Sequence, residues 1–180
     1  PLENGFSNPL RRDCNSGSKT SRRNNAFSVG TLSTAPVIEP GTIIKGEEGD
    51  GANASVLSVS KDGMIDAQGT ADAPIVMTSV LDNINIGQTS GSNLDATDKG
   101  LWGGLIILGD ASISADANEA LIEGLPANEP WAVYGGTDDT DNSGTLSYIS
   151  VRHGGTLIGD GNEINGITFG GVGSGTTVEN

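Results

Sequence analysis

From Pro36 onward the chain alternates short apolar runs with turn residues: Val37-Ile38, Ile43-Ile44, Val56 to Val59, Met64-Ile65, Ile75-Val76-Met77, Leu105 to Leu108, Leu146 to Val151 and Ile164 to Phe169. The runs are rich in β-branched residues and bounded by Gly, Asn, Asp, Pro or Ser, which supply the backbone freedom and local side-chain bonds of turns. None sustains a 3.6-residue period over the ten or so positions of an ordinary helix. Only 116–124, with Ala117, Glu119, Ala120 and Leu121, offers one short helical turn. Everything else predicts strands.

Spacing between the runs suggests how they assemble. Ile43 to Met64 is 21 residues, Leu57 to Val76 is 19 and Ile149 to Ile167 is 18. A repeat near that length, built from short strands and Gly-rich corners, fits a solenoid whose coils stack on one another. An antiparallel sandwich also has strands at regular turn spacing and is the competing reading. In the solenoid, Ile149 and Val151 point inward, Tyr148 and Ser150 point outward, and Ile167 and Phe169 repeat the inward positions one coil later. Residues 82–100 read as a polar insertion. Residues 1–35 lack periodicity and read as a flexible basic and polar arm, leaving 36–180 as the β-domain. The final Thr176-Thr177-Val178-Glu179-Asn180 enters another strand. A solenoid needs caps at its ends, so the chain is expected to be truncated there, with self-association through the uncapped end as one way to cover it.

Four separated phrases carry a resemblance: Ile38-Glu39-Pro40-Gly41-Thr42-Ile43-Ile44-Lys45-Gly46, Trp102-Gly103-Gly104-Leu105-Ile106-Ile107-Leu108-Gly109, Tyr134-Gly135-Gly136-Thr137-Asp138-Asp139, and the stretch from Asn162 to Thr177. In order and wording they resemble a largely uncharacterised family of secreted or surface-attached Bacteroidota proteins, built as right-handed parallel β-helices of the pectin-lyase-like kind. The resemblance spans about Pro36 to Asn180. It implies an all-β right-handed parallel β-helix at an extracellular or cell-surface location, and it implies no particular reaction. Family members precede the Pro-Gly-Thr phrase with a strand-rich coil, and continue past the equivalent of Asn180 with acidic and aromatic coils.

Charge narrows the partners. The chain carries a net −14, unevenly placed: residues 1–25 hold five basic and two acidic side chains, whereas 26–180 hold four basic and 21 acidic ones. So acidic a body repels nucleic acid and anionic lipid, whose binding needs clustered Lys and Arg. No apolar run approaches the ~20 residues of a membrane span, and no intact signal peptide is present. Cys14 is the only cysteine, which excludes an intrachain disulfide or a cysteine-based zinc cluster. There is no G-x-S-x-G, H-E-x-x-H or nucleotide-binding glycine loop, and no nucleotide, haem or flavin is expected.

Several groups offer chemistry. Asp139-Thr140-Asp141-Asn142-Ser143-Gly144, with Asp138 before it, spaces oxygen ligands as a calcium loop does; Asp138, Asp139, Asp141 and Ser143 are the candidate Ca2+ ligands. The position that would carry the bidentate Glu of an EF-hand is Ser150, so the loop is equally an acidic corner whose side chains bond their own backbone. His153 is the only histidine and follows Arg152, a pair able to act as general base and as neutraliser of a sugar carboxylate in a polysaccharide lyase. Trp131, Tyr134, Asp160 and Glu163 are candidate ligand-binding residues, the aromatics for stacking on sugar rings or, alternatively, for covering a loop. The expected function is an extracellular or cell-surface module binding glycans, calcium or neighbouring proteins. The alternative is a polysaccharide-active lyase or glycoside hydrolase.

Overall fold

The computed structural model describes residues 22–23, 26–29, 35–123, 130–159 and 162–180. Short parallel strands stack into three faces of a parallel β-helix. Face A stacks Ala26–Val29, Val56–Val59, Gly104–Leu108 and Ile167–Gly170, with Arg22–Arg23 antiparallel at its edge. Face B stacks Val37–Ile38, Ile65–Gln68, Gly144–Ser147 and Thr177–Glu179. Face C stacks Ile43–Gly46, Ile75–Ser79 and Ile149–Val151. The chain visits A, B and C in turn, so each circuit is one coil.

Register sets the true repeat. Phe27 pairs with Leu57, Ile38 with Ala67, Ile43 with Val76 and Thr145 with Thr177, separations of 29 to 33 residues. The 18–21-residue spacing seen in the sequence therefore links different faces, not equivalent positions in stacked coils: Leu57 lies on face A and Val76 on face C of one coil. Likewise Ile167 pairs with Leu105, not Ile149, whose partner is Ile75. The inward parity holds, since Ile149 and Val151 pack on the central core. Ile167 and Phe169 are in register with the inward Leu105 and Ile107 on the last coil, where they remain about two-fifths exposed. The Leu146 to Val151 run is two strands because Tyr148 adopts a φ of 48° and turns the chain from face B to face C. The strand Ala26–Val29 lies inside the stretch read as an arm, extending face A ahead of Pro36.

Among the described residues, two apolar clusters hold the stack. The interior column contains Leu57, Val59, Ile65, Met77, Leu105, Ile107 and Leu146, with Trp102 filling the corner between faces C and A. The alternation of a strand sends its other side chains outward, and on face A these are buried too: Val56, Ile106 and Leu108 cluster with Ile122 and Ile164 beneath Trp131 and Tyr134. The cover comes from insertions into the coil. Residues 80–103 and 152–166 interrupt the C-to-A corner, and 109–143 the A-to-B corner. Within the last of these, Ala120–Leu121 pairs antiparallel with Val133–Tyr134, so the expected helical turn is instead part of a hairpin. The residues 82–100 read as an insertion lie inside 80–103.

Candidate functional site at the C-to-A corner

Where Val151 ends face C, Arg152 still follows the ladder, its backbone N–H donating to Met77 O at 2.9 Å. His153 then takes a φ of 56° and leaves the sheet. The departing chain is clamped by the returning insertion: Leu101 N–H donates to His153 O and Gly100 N–H to Gly154 O, both at 2.9 Å. From the core side, Trp102 Nε1 donates to Arg152 O at 2.7 Å. The turn carrying Arg152 and His153 is thereby fixed at three backbone carbonyls.

Its two side chains hold the roof. Arg152 donates from Nε to Ser150 Oγ at 2.8 Å and from Nη2 to Thr89 O at 2.6 Å. His153 Nδ1 lies 2.7 Å from Asp98 O. A carbonyl oxygen only accepts, so Nδ1 carries the proton and the neutral ring keeps its lone pair on Nε2. Between turn and roof lies a cavity of about 430 Å3, whose lining includes Asp82, Asp95, Asp98, Lys99, Arg152 and His153. That volume lies in the ~300–1,000 Å3 range of small-molecule sites.

The carboxylates of this cavity are largely built into its walls. Asp82 is buried, accepting from Thr78 Oγ1 and from Ile84 N–H, each at 2.9 Å. Lys45 Nζ donates to its backbone oxygen at 2.6 Å. Asp95 Oδ1 accepts from Thr97 Oγ1 at 2.6 Å and Thr97 N–H at 2.8 Å. These bonds, the hydroxyl foremost, with the nearby His153, hold the Asp95 carboxyl below the usual carboxylate range. Asp98 Oδ2 accepts the Asp95 N–H at 2.8 Å. Lys99, by contrast, is exposed and makes no ion pair with the described residues.

The other sequence-predicted residues lie elsewhere. Asp138, Asp139, Asp141 and Ser143 sit at the A-to-B corner, where their oxygens bond the loop itself. Asp138 Oδ1 accepts from Thr140 N–H and Oγ1, Asp139 Oδ1 from Ser112 N–H, and Asp141 Oδ2 from Ser143 Oγ. The Ser112 backbone bond holds the Asp139 carboxyl below its ordinary range. Among the described residues, no group of three or more His, Cys, Asp or Glu side chains is placed to hold a metal ion. Trp131 and Tyr134 pack over the outer face A cluster, the covering role weighed against stacking on sugars. Glu163 is exposed on a short hairpin strand pairing with Leu157, and Asp160 lies outside the described residues.

Arg152 and His153 were legible as an unusual pair in sequence; Asp82, Asp95, Asp98 and Lys99 were not. The signal that would have found Lys99 is scarcity: residues 26–180 contain just Lys45, Lys61, Lys99 and Arg152 as basic residues. Two of those four, with the only histidine, line this one cavity.

A family model for a pectate-lyase like beta helix domain matches residues 24–180. No curated protein and no solved structure matches the chain.

Proposed function

The chain belongs to the pectate-lyase-like β-helix domain family and is a polysaccharide-related β-helix module, and on that premise we propose that it binds an acidic polysaccharide outside the cell, holding one uronate unit in the C-to-A corner cavity. One observation carries this reading: a body with 21 acidic and four basic side chains gathers two of the four cations and its only histidine around a single cavity. Elsewhere the acidic surface repels a polyanion; here a carboxylate meets an unpaired ammonium. Lys99 supplies the charge and His153 a hydrogen-bonding edge. Arg152 contributes less, because Ser150 and Thr89 take its Nε–H and one Nη2–H, closing the side-on fork and leaving a ligand carboxylate only the Nη1 edge and the second Nη2–H.

A lyase is the second reading, favoured by the fixed tautomer: Nε2 of neutral His153 is a free base beside a cation. The tied-up Arg152 counts against it, since two of its donors are spent on the roof and direct contact with the sugar carboxylate falls mainly to Lys99.

Calorimetric titration with oligogalacturonate and with a neutral galacto-oligosaccharide tests both. Binding of the acidic ligand alone is expected, weakened about tenfold, or ~1.4 kcal/mol, by Lys99→Ala. No binding of oligogalacturonate, or equal binding of the neutral sugar, overturns the reading. Release of unsaturated sugar that disappears in His153→Ala would move the conclusion to the lyase.

A further inference from the structure

We propose that His153 makes capture of the acidic sugar pH-dependent, the cavity binding more tightly as the imidazole gains its second proton. The inference rests on the acidic-polysaccharide reading and concerns its regulation.

Charge balance in the cavity supplies the argument. The ionisable groups around His153 are Asp82, Asp95 and Asp98, and against them Lys99 and Arg152. With His153 neutral, three carboxylates face two cations and the cavity carries one net negative charge. Protonation cancels it. An incoming uronate, held by Lys99 in both states, therefore meets a less favourable field in the first state than in the second.

Hydrogen bonding makes the change local. Nδ1–H donates to Asp98 O whether the ring is neutral or charged, so the roof bond survives protonation. The added proton goes to Nε2, which turns from acceptor to donor and can then face a carboxylate oxygen. Asp95, a carboxylate of the same cavity, is already occupied by Thr97 through Oδ1. By linkage, a ligand that prefers the charged ring must raise the pKa of that ring.

The chain's single histidine gives a single imidazole resonance to follow. The experiment records the His153 NMR titration with and without oligogalacturonate, and the affinity of the same probe at pH ~5 and ~8. Expected are a midpoint moved upward by the ligand, several-fold tighter binding at the lower pH, and a flattened pH profile in His153→Gln. A midpoint unmoved by saturating ligand, or equal affinity at both pH values, overturns the proposal while leaving the binding site standing. No binding at either pH removes the site and the proposal together. A neutral galacto-oligosaccharide showing the same pH dependence also overturns it, because the switch would then not act on ligand charge.

Discussion

The insertions at 80–103 and 109–143 both interrupt one coil of the helix, yet they attach in opposite ways. Apart from the buried Ile84 and Trp102, the first is held at points: Arg152 reaches Thr89 O, His153 reaches Asp98 O, and Asn83 and Asn93 stitch its two arms together through Ser92 and Leu81. The second is held by area: Ile122, Trp131 and Tyr134 lie on Val56, Ile106 and Leu108. Hydrogen bonds are directional and fix particular atoms, so space between them can stay open to solvent. Apolar contact gains in proportion to the surface removed from water, so it closes every gap it can. One insertion consequently roofs a cavity and the other seals a face.

The sharpest way to break this contrast is to damage the sealed face. Ile106 is fully buried although it points away from the central column. Ile106→Ala should cost ~2–5 kcal/mol, the usual loss for a large aliphatic core residue, read as a lower urea midpoint at unchanged slope. A loss under ~1 kcal/mol would mean that the hairpin merely rests on face A. The same lesion should leave oligogalacturonate affinity within about twofold, since the cavity lies at another corner.

A second test acts where the two regions share support. A Cβ built on Gly46 would meet the Trp102 ring at 2.5 Å, and Trp102 in turn holds Arg152 O through Nε1. Gly46→Ala should therefore destabilise by ~1–3 kcal/mol through overpacking and also weaken ligand binding, because a displaced indole moves the turn under the cavity. Unchanged stability would show that the corner has slack, and would weaken the claim that the core positions Arg152.

These two positions illustrate what the sequence could and could not disclose. The strands were readable from their β-branched runs, and the inward parity of Ile149 and Val151 follows from alternation alone. The repeat length was not, because all three faces use similar apolar runs, and nothing local distinguishes a neighbour on the next face from one in the next coil. Backbone pairing alone separates Leu57–Leu105 from Leu57–Val76. Arg152 and His153 stood out because they are rare types in an acidic chain. Asp82, Asp95 and Asp98 were hidden among many acidic turn residues, and they reach the cavity only because a long insertion folds back to a turn more than 50 residues away. Trp131 and Tyr134 show the reverse case, since an aromatic's chemistry suits stacking on a sugar or sealing a hairpin, and only packing decides.

The point-held insertion should respond differently from the sealed one. Arg152→Met keeps most of the aliphatic stem and removes the donors to Thr89 O and Ser150 Oγ. Global stability should fall by ~1 kcal/mol, while amide exchange across 82–100 should accelerate far more than exchange in face A. Equal acceleration in both regions would erase the distinction between point and area attachment.

The smallest effect belongs to the ionic clip that the described residues place on the sealed insertion. Lys61, on the A-to-B turn one coil earlier, contacts Asp110 Oδ1 and Glu119 Oε1, each at 2.8 Å. The hydrogen bond to Asp110, followed by that to Glu119, holds the ammonium well above the usual lysine range. Because its folded pKa is raised, the clip stabilises fully below the unfolded lysine value of ~10.4 and fades as pH climbs through the folded one. Lys61→Met should cost ~0.2–1 kcal/mol at neutral pH, as partly exposed ion pairs do. The gap between the two melting curves should narrow above pH ~10.4. Apolar contact still holds the hairpin after the clip is gone, so exchange in the described part of 109–143 should barely change. If Lys61→Met loosened that segment as much as Arg152→Met loosens 82–100, the second insertion too would be held at points, and its closure over face A would need another cause.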